Sequence, residues 1–176
     1  MIGRIALAAA MLLVAPAATA QSVPETVDGI VADLAYGYCP LYIAGEFPLV
    51  GNDQLQKLGF TGAPDSIPNQ RFGSLTFVSQ KRDGVEMSFG GVPDQVCQIN
   101  VIGAGAPTVL DKVRAKLSLL PYDFEPDAAN SGTQANGSAE TMMAKVDDKT
   151  VMRVAFVRGT VQGSPIAGIM LYFMEQ

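Results

Sequence analysis

The chain contains no histidine and no tryptophan. Histidine is the usual general base near neutral pH and the commonest transition-metal ligand. Its absence excludes Ser-His-Asp and Cys-His catalysis, haem ligation by histidine and HExxH zinc chemistry. Positive charge is also scarce, with 12 Lys+Arg against 17 Asp+Glu and a net charge of −5. Nucleic-acid binding needs a basic footprint, and no stretch supplies one. Charged residues make up 16% of the chain and hydrophobic ones 48%, which separates it from disordered sequences.

What is present starts with an address. Arg4 precedes an apolar run from Ile5 to Val14, and Ala18-Thr19-Ala20 follows as a small-residue cleavage motif before Gln21. That is the layout of a secretory signal peptide over residues 1–20. The run is too short to span a bilayer, which takes about 20 apolar residues. No cysteine sits at the cleavage point to carry a lipid. The expected mature chain, 21–176, has no further transmembrane segment and belongs in the periplasm or outside the cell. Cleavage removes Arg4 and no acid, so the net charge moves from −5 to −6. The acids crowd the start: Glu25, Asp28, Asp33, Glu46, Asp53 and Asp65 face one base, Lys57.

Removing residues 1–20 from 176 leaves 156, the length of one domain. Cys39 and Cys97 are its two cysteines, and an even count in an exported chain points to a disulfide. Closing a loop of 58 residues stabilises by roughly 4 kcal/mol in the chain-entropy model. A redox enzyme would carry its resolving cysteine nearby, as in CxxC.

The periodicities predict an α+β domain. Ser22 and Glu25 form a capping box, and Val27, Ile30, Val31 and Leu34 share one helical face. The expected helix covers 23–36, ended by Gly37 and Pro40. Residues 40–71 read as irregular, with a short helix from Asn52 to Leu58. Three alternating strands follow in 72–103, with Asp83-Gly84 as a hairpin turn and Cys97, Ile99 and Val101 facing inward. A second helix spans 107–120, its start marked by Thr108 and Asp111. Residues 123–139 read as a flexible loop. Three more strands finish the chain, with a turn from Gly159 to Pro165. The expectation is a mainly antiparallel sheet of about six strands in two three-stranded groups, with both helices packed on one face. No internal repeat is visible.

Several motifs suggest chemistry and fall short of it. Gly103-Ala-Gly105-Ala-Pro-Thr108 sits where a dinucleotide fingerprint would, but Thr108 replaces the third glycine and Pro107 removes a phosphate-binding N–H. Asp123, Glu125 and Asp127 have calcium-loop spacing, broken by Pro126 and by Gln134 at position twelve. Met142, Met143, Met152, Met170 and Met174 resemble a thioether copper set, yet Met142 and Met152 fall in core phase. Asp147-Asp148 lies in a turn, where both acids should be solvated and unperturbed. Asn136-Gly137-Ser138 matches a glycosylation acceptor. No GxSxG or SxxK nucleophile is present. The sequence implies no metal, no cofactor and no catalytic residue.

Three functions remain. The leading one is a non-catalytic binding or interaction domain of the cell envelope. Its last strand is apolar on both faces, and Met170, Tyr172 and Met174 are the expected contact surface for an envelope protein. The second is a carrier or sensor of a small apolar ligand, in a cavity lined by Phe77, Phe89, Phe156 and Met152. The third is a carboxylate-dependent envelope hydrolase, which needs two acids converging in a cleft.

Overall fold

The computed structural model describes residues 26–175. The expected signal peptide and the expected Ser22–Glu25 capping box lie outside them.

The helical segment starts at Thr26, whose hydroxyl accepts from the Gly29 N–H. It runs through α1 (Val27–Ala32), a π-helical stretch (Asp33–Tyr38) and α2 (Cys39–Ile43). Gly37 and Pro40 therefore do not end it. At the junction the Cys39 N–H reaches back five residues to the Leu34 carbonyl. This widened turn precedes Pro40, which sits in the first turn of α2, where a missing N–H costs little. α3 (Asp53–Lys57) is capped by the Asn52 carboxamide, whose oxygen accepts from the Gln54 and Leu55 N–H groups. α4 (Ala106–Arg114) is shorter than 107–120, because the chain tightens into a 3-10 turn (Leu117–Leu119) before Pro121. Its start has no side-chain cap; Asp111 pairs with Arg158 instead.

Among the described residues nine strands form one antiparallel sheet: β1 (Asp65–Asn69), β2 (Gly73–Arg82), β3 (Val85–Val92), β4 (Val96–Ile102), β5 (Glu125–Pro126), β6 (Gly132–Gln134), β7 (Gly137–Lys145), β8 (Thr150–Val161) and β9 (Ser164–Glu175). Their order is β1-β2-β3-β4-β9-β8-β7-β5, with β6 also on β7. The six expected strands are the long central ones. The short β1, β5 and β6 are additions that cover the outermost long strands, where bare edges invite aggregation.

The order has a symmetry the sequence hides. Each half is a helical segment followed by a three-stranded meander, and the third strands of the two halves, β4 and β9, pair at the centre. The β2–β3 turn places Asp83 and Gly84 at φ 50° and 75°, the two left-handed residues of a tight hairpin. Gln162 and Gly163 repeat this at φ 50° and 79°, so the second turn is two residues and not 159–165.

The helices cover one face of the sheet. Ile30, Val31, Leu34, Val109, Leu110 and Val113 pack there with Met87, Phe89, Cys97, Ile99, Val101, Met152, Val154, Phe156, Ile169 and Leu171. The Tyr36 hydroxyl donates to the Val113 carbonyl at 2.8 Å and ties the first helical segment to α4. Cys39 and Cys97 form the expected disulfide, with Cα atoms 5.4 Å apart, and pin α2 to β4. Tyr42 lies buried against Phe89, and its hydroxyl has no hydrogen-bond partner among the described residues. No described helix is long and apolar enough to cross a membrane.

Candidate functional site

Side chains alternate across a strand, so everything out of phase with the core points to the sheet's other face. On most such sheets that face is polar. Here it carries a second apolar cluster of Leu75, Phe77, Val96 and Tyr172, all buried, flanked by half-buried Phe72, Val92, Met170 and Met174. The registers explain the cluster. Ile67 opposes Leu75, Val92 opposes Val96, Val96 opposes Tyr172, and Tyr172 opposes Arg153. These cross-strand neighbours form a rib that starts at the exposed Ile67 and ends at a guanidinium. Arg71, from the β1–β2 turn, lies over the rings of Phe72 and Tyr172 at 5.1 and 5.5 Å. It makes no salt bridge among the described residues, so its charge is not neutralised there.

Below this rib the face turns polar and small. Gln98 donates to Asn100, which donates to Ser88, in a half-buried ladder. Asn100 opposes Gly168, and Gly168 opposes Val157. Val157 opposes Ala139 on β7, and there the face deepens into a groove of about 650 Å³. Ala139, Val157 and Ile166 line it as a floor, and residues 129–133 line it as a wall.

That wall belongs to the segment expected as a loop. Instead, residues 125–134 follow the β7 edge as β5, a 3-10 turn (Ala128–Asn130) and β6. Polar side chains hold the turn in place, a form of order that hydrophobic periodicity cannot reveal. The Asp127 carboxylate accepts from Arg153 Nε at 2.7 Å and from the Asn130 side-chain amide at 2.8 Å. Ser131 Oγ donates to the Asp127 carbonyl and accepts from the Thr141 N–H. Thr141 Oγ1 donates to the Asn130 carbonyl. Asp127 and Thr141 are both buried. Burial pushes the Asp127 carboxyl up, but Asn130 and Arg153 together bring it below the usual carboxylate range.

The expected residues divide as follows. Met170, Tyr172 and Met174 do share the outer face; Tyr172 is buried under Arg71, and Met174 Sδ accepts from Arg153. The methionines do not form one set, because Met142 and Met152 pack on the helix side. The proposed aromatic cavity does not form as drawn. Phe89, Phe156 and Met152 are buried under the helices, whereas Phe77, opposite Gly90, lies on the outer face. Asp127 turns to Arg153, away from a shared site with Asp123 and Glu125, and no cluster of three metal-ligating His, Cys, Asp or Glu occurs among the described residues.

Several of the remaining acids are engaged in pairs. Glu140 accepts from Arg114, which holds its carboxyl below the usual range, and Asp28 meets Lys112 and Lys116. Asp147 is not unperturbed: the backbone N–H groups of Lys149 and Thr150 bond its carboxylate and lower its pKa. The 103–108 turn leads into α4 between antiparallel strands, without the parallel βαβ unit of a dinucleotide site. Sequence reading missed Arg71, Arg153 and the 129–133 wall. Arginine on a strand is a weak signal, and only the register shows that Arg153 faces Tyr172. Comparison with protein-family models, curated proteins and solved structures gives no match to this chain.

Proposed function

We propose that the chain is a non-catalytic binding module of the cell envelope, exported with cleavage near Ala20–Gln21, and that the outer sheet face is its contact surface. The observation that carries this is the second apolar cluster around Tyr172, on the face that no described helix covers. Its residue types are those that dominate protein interfaces: tyrosine, phenylalanine, methionine and arginine. The unneutralised Arg71 over the two rings favours a protein partner with an acidic residue inside an apolar contact. Met170, Met174 and Phe72, each half-buried, supply the remaining open surface.

The test is photo-crosslinking in the producing cell. A benzophenone amino acid at position 72 should give one defined protein adduct, and the same probe at exposed Leu119 should give none. Met170→Lys in the position-72 background should abolish the adduct while the circular dichroism melt stays within about 2 °C. Equal adducts at 72 and 119, or an adduct indifferent to Met170→Lys, would end this proposal.

A second reading, a carrier of a small apolar ligand, is favoured by the groove over Ala139, Val157 and Ile166. Its volume lies within the range of small-molecule sites, roughly 300–1,000 Å³.

A further inference from the structure

We infer that the groove beneath residues 129–133 is a preformed site for an uncharged, largely apolar small molecule. The inference deepens the carrier reading and is independent of the Tyr172 surface.

The first support is the way the wall is held. A buried ion pair is a poor source of stability, since desolvation offsets most of the attraction. Asp127 and Arg153, with Asn130, Ser131 and Thr141, nevertheless form a closed network around one short turn. What the network fixes is the position of Ala129–Gly132 over the floor. A wall held by satisfied polar groups is rigid before any ligand arrives, as a binding site requires.

The second support is the chemistry left facing the groove. The network takes up the Asn130 side-chain N–H, the Asn130 carbonyl and Ser131 Oγ, and the other polar side chains lining the groove, Thr133, Asn136, Ser138 and Thr160, are uncharged. The floor is Ala139, Val157 and Ile166, with Gly159 adding no side chain. Glycine is required there, because a Cβ on Gly159 would stand 2.8 Å from the Asn136 carbonyl.

The third support is charge. Arg158 contributes to the rim, but its guanidinium lies on the helix side, paired with Asp111. No other ionisable residue lines the groove. A charged ligand would lose its hydration with no counter-charge to replace it, so the site selects a neutral one.

The experiment uses two fluorophores of similar size, neutral N-phenyl-1-naphthylamine and anionic 8-anilino-1-naphthalenesulfonate, titrated into the oxidised, folded protein. Saturable one-to-one binding of the neutral probe is expected, at least about tenfold tighter than the anionic one. Val157→Trp, which fills the groove, should weaken the neutral probe at least about tenfold. Ala139→Leu serves as a second filling variant should Val157→Trp fail to fold, and methyl shifts of Ala139 and Ile166 report occupancy in the unaltered protein. Met170→Lys should leave probe affinity unchanged. No saturable binding, equal affinity for both probes, or binding indifferent to both filling variants overturns the inference. Probe binding abolished by Met170→Lys and untouched by Val157→Trp would also overturn it, while leaving the outer-face proposal standing.

Discussion

Asp127→Asn isolates the charge that holds the groove wall. The substitution keeps the shape of the side chain and removes its negative charge, leaving Arg153 half-covered and unpaired. Breaking a fully buried pair costs about 3–5 kcal/mol. The Asp127 residue is 6% exposed, but the Arg153 side chain is 19% exposed and reaches solvent, so the smaller value of about 2–3 kcal/mol is expected. In a domain of this size that lowers the melting temperature by roughly 5–10 °C. Far-UV circular dichroism is the suitable probe, because the chain has no tryptophan to report by fluorescence. Arg153→Met completes a double-mutant cycle, with a coupling energy of about 1.5–2 kcal/mol expected. The pH dependence has a definite sign. The folded carboxyl is depressed below the ordinary aspartate range, so its contribution is complete above the unfolded value and is lost as pH falls through the folded one. The unaltered protein should therefore lose stability below about pH 4 more steeply than Asp127→Asn. A coupling energy under about 0.5 kcal/mol, with identical acid limbs for the two proteins, would refute the claim that this pair fixes the wall.

Tyr42→Phe removes a buried hydroxyl that has no partner among the described residues and whose pKa burial pushes up to about 12; urea unfolding should show a gain of about 1 kcal/mol, and a comparable loss would reveal a missed hydrogen bond. Replacing Cys39 and Cys97 together by alanine should cost up to about 4 kcal/mol, read as a fall in the urea midpoint, and an unchanged midpoint would contradict the staple. Gly91→Ala should cost about 3 kcal/mol, because Gly91 adopts φ 136° and an added Cβ would stand 2.1 Å from the Val96 carbonyl; a melt within about 2 °C of the parent would show that β3 and β4 can part there. Protein isolated from the producing cell's envelope should have the intact mass of residues 21–176 less two hydrogens, and retention of residues 1–20 would remove the export proposal.

Much of the fold was legible because its core strands alternate cleanly. Met87, Phe89, Cys97, Ile99 and Val101 face the helices as their phase dictates, and Asp83-Gly84 makes its hairpin. Legibility failed where two-residue periodicity competes with another signal. Pro40 looked like a helix stop, and a widened turn absorbed it. Phe77 and Val78 are both apolar, so phase alone could not say which faces the core; the pairing of Val78 with Phe89 decides it. Residues 123–139 looked featureless because Asp, Asn, Ser and Thr organise them through hydrogen bonds with no period. Met170, Tyr172 and Met174, the proposed contact triad, alternate along β9 and so share one face. The triad's neighbours come from elsewhere in the chain, Arg71 from the β1–β2 turn and Arg153 from β8, and only the folded sheet unites them.

The palindromic strand order also bears on synthesis. Of the nine strands, the last in the chain, β9, lies at the centre, between β4 and β8. Until it is made, β4 and β8 each present a bare inner edge, and the two meanders have no strand in common. Cys39 and Cys97, by contrast, both precede α4, so the cross-link can close while half the chain is still absent. The molecule should therefore be covalently locked early and assembled late. A ribosome-released chain cut short before residue 164 should expose two open sheet edges at once and aggregate, where an ordinary terminal deletion would only fray.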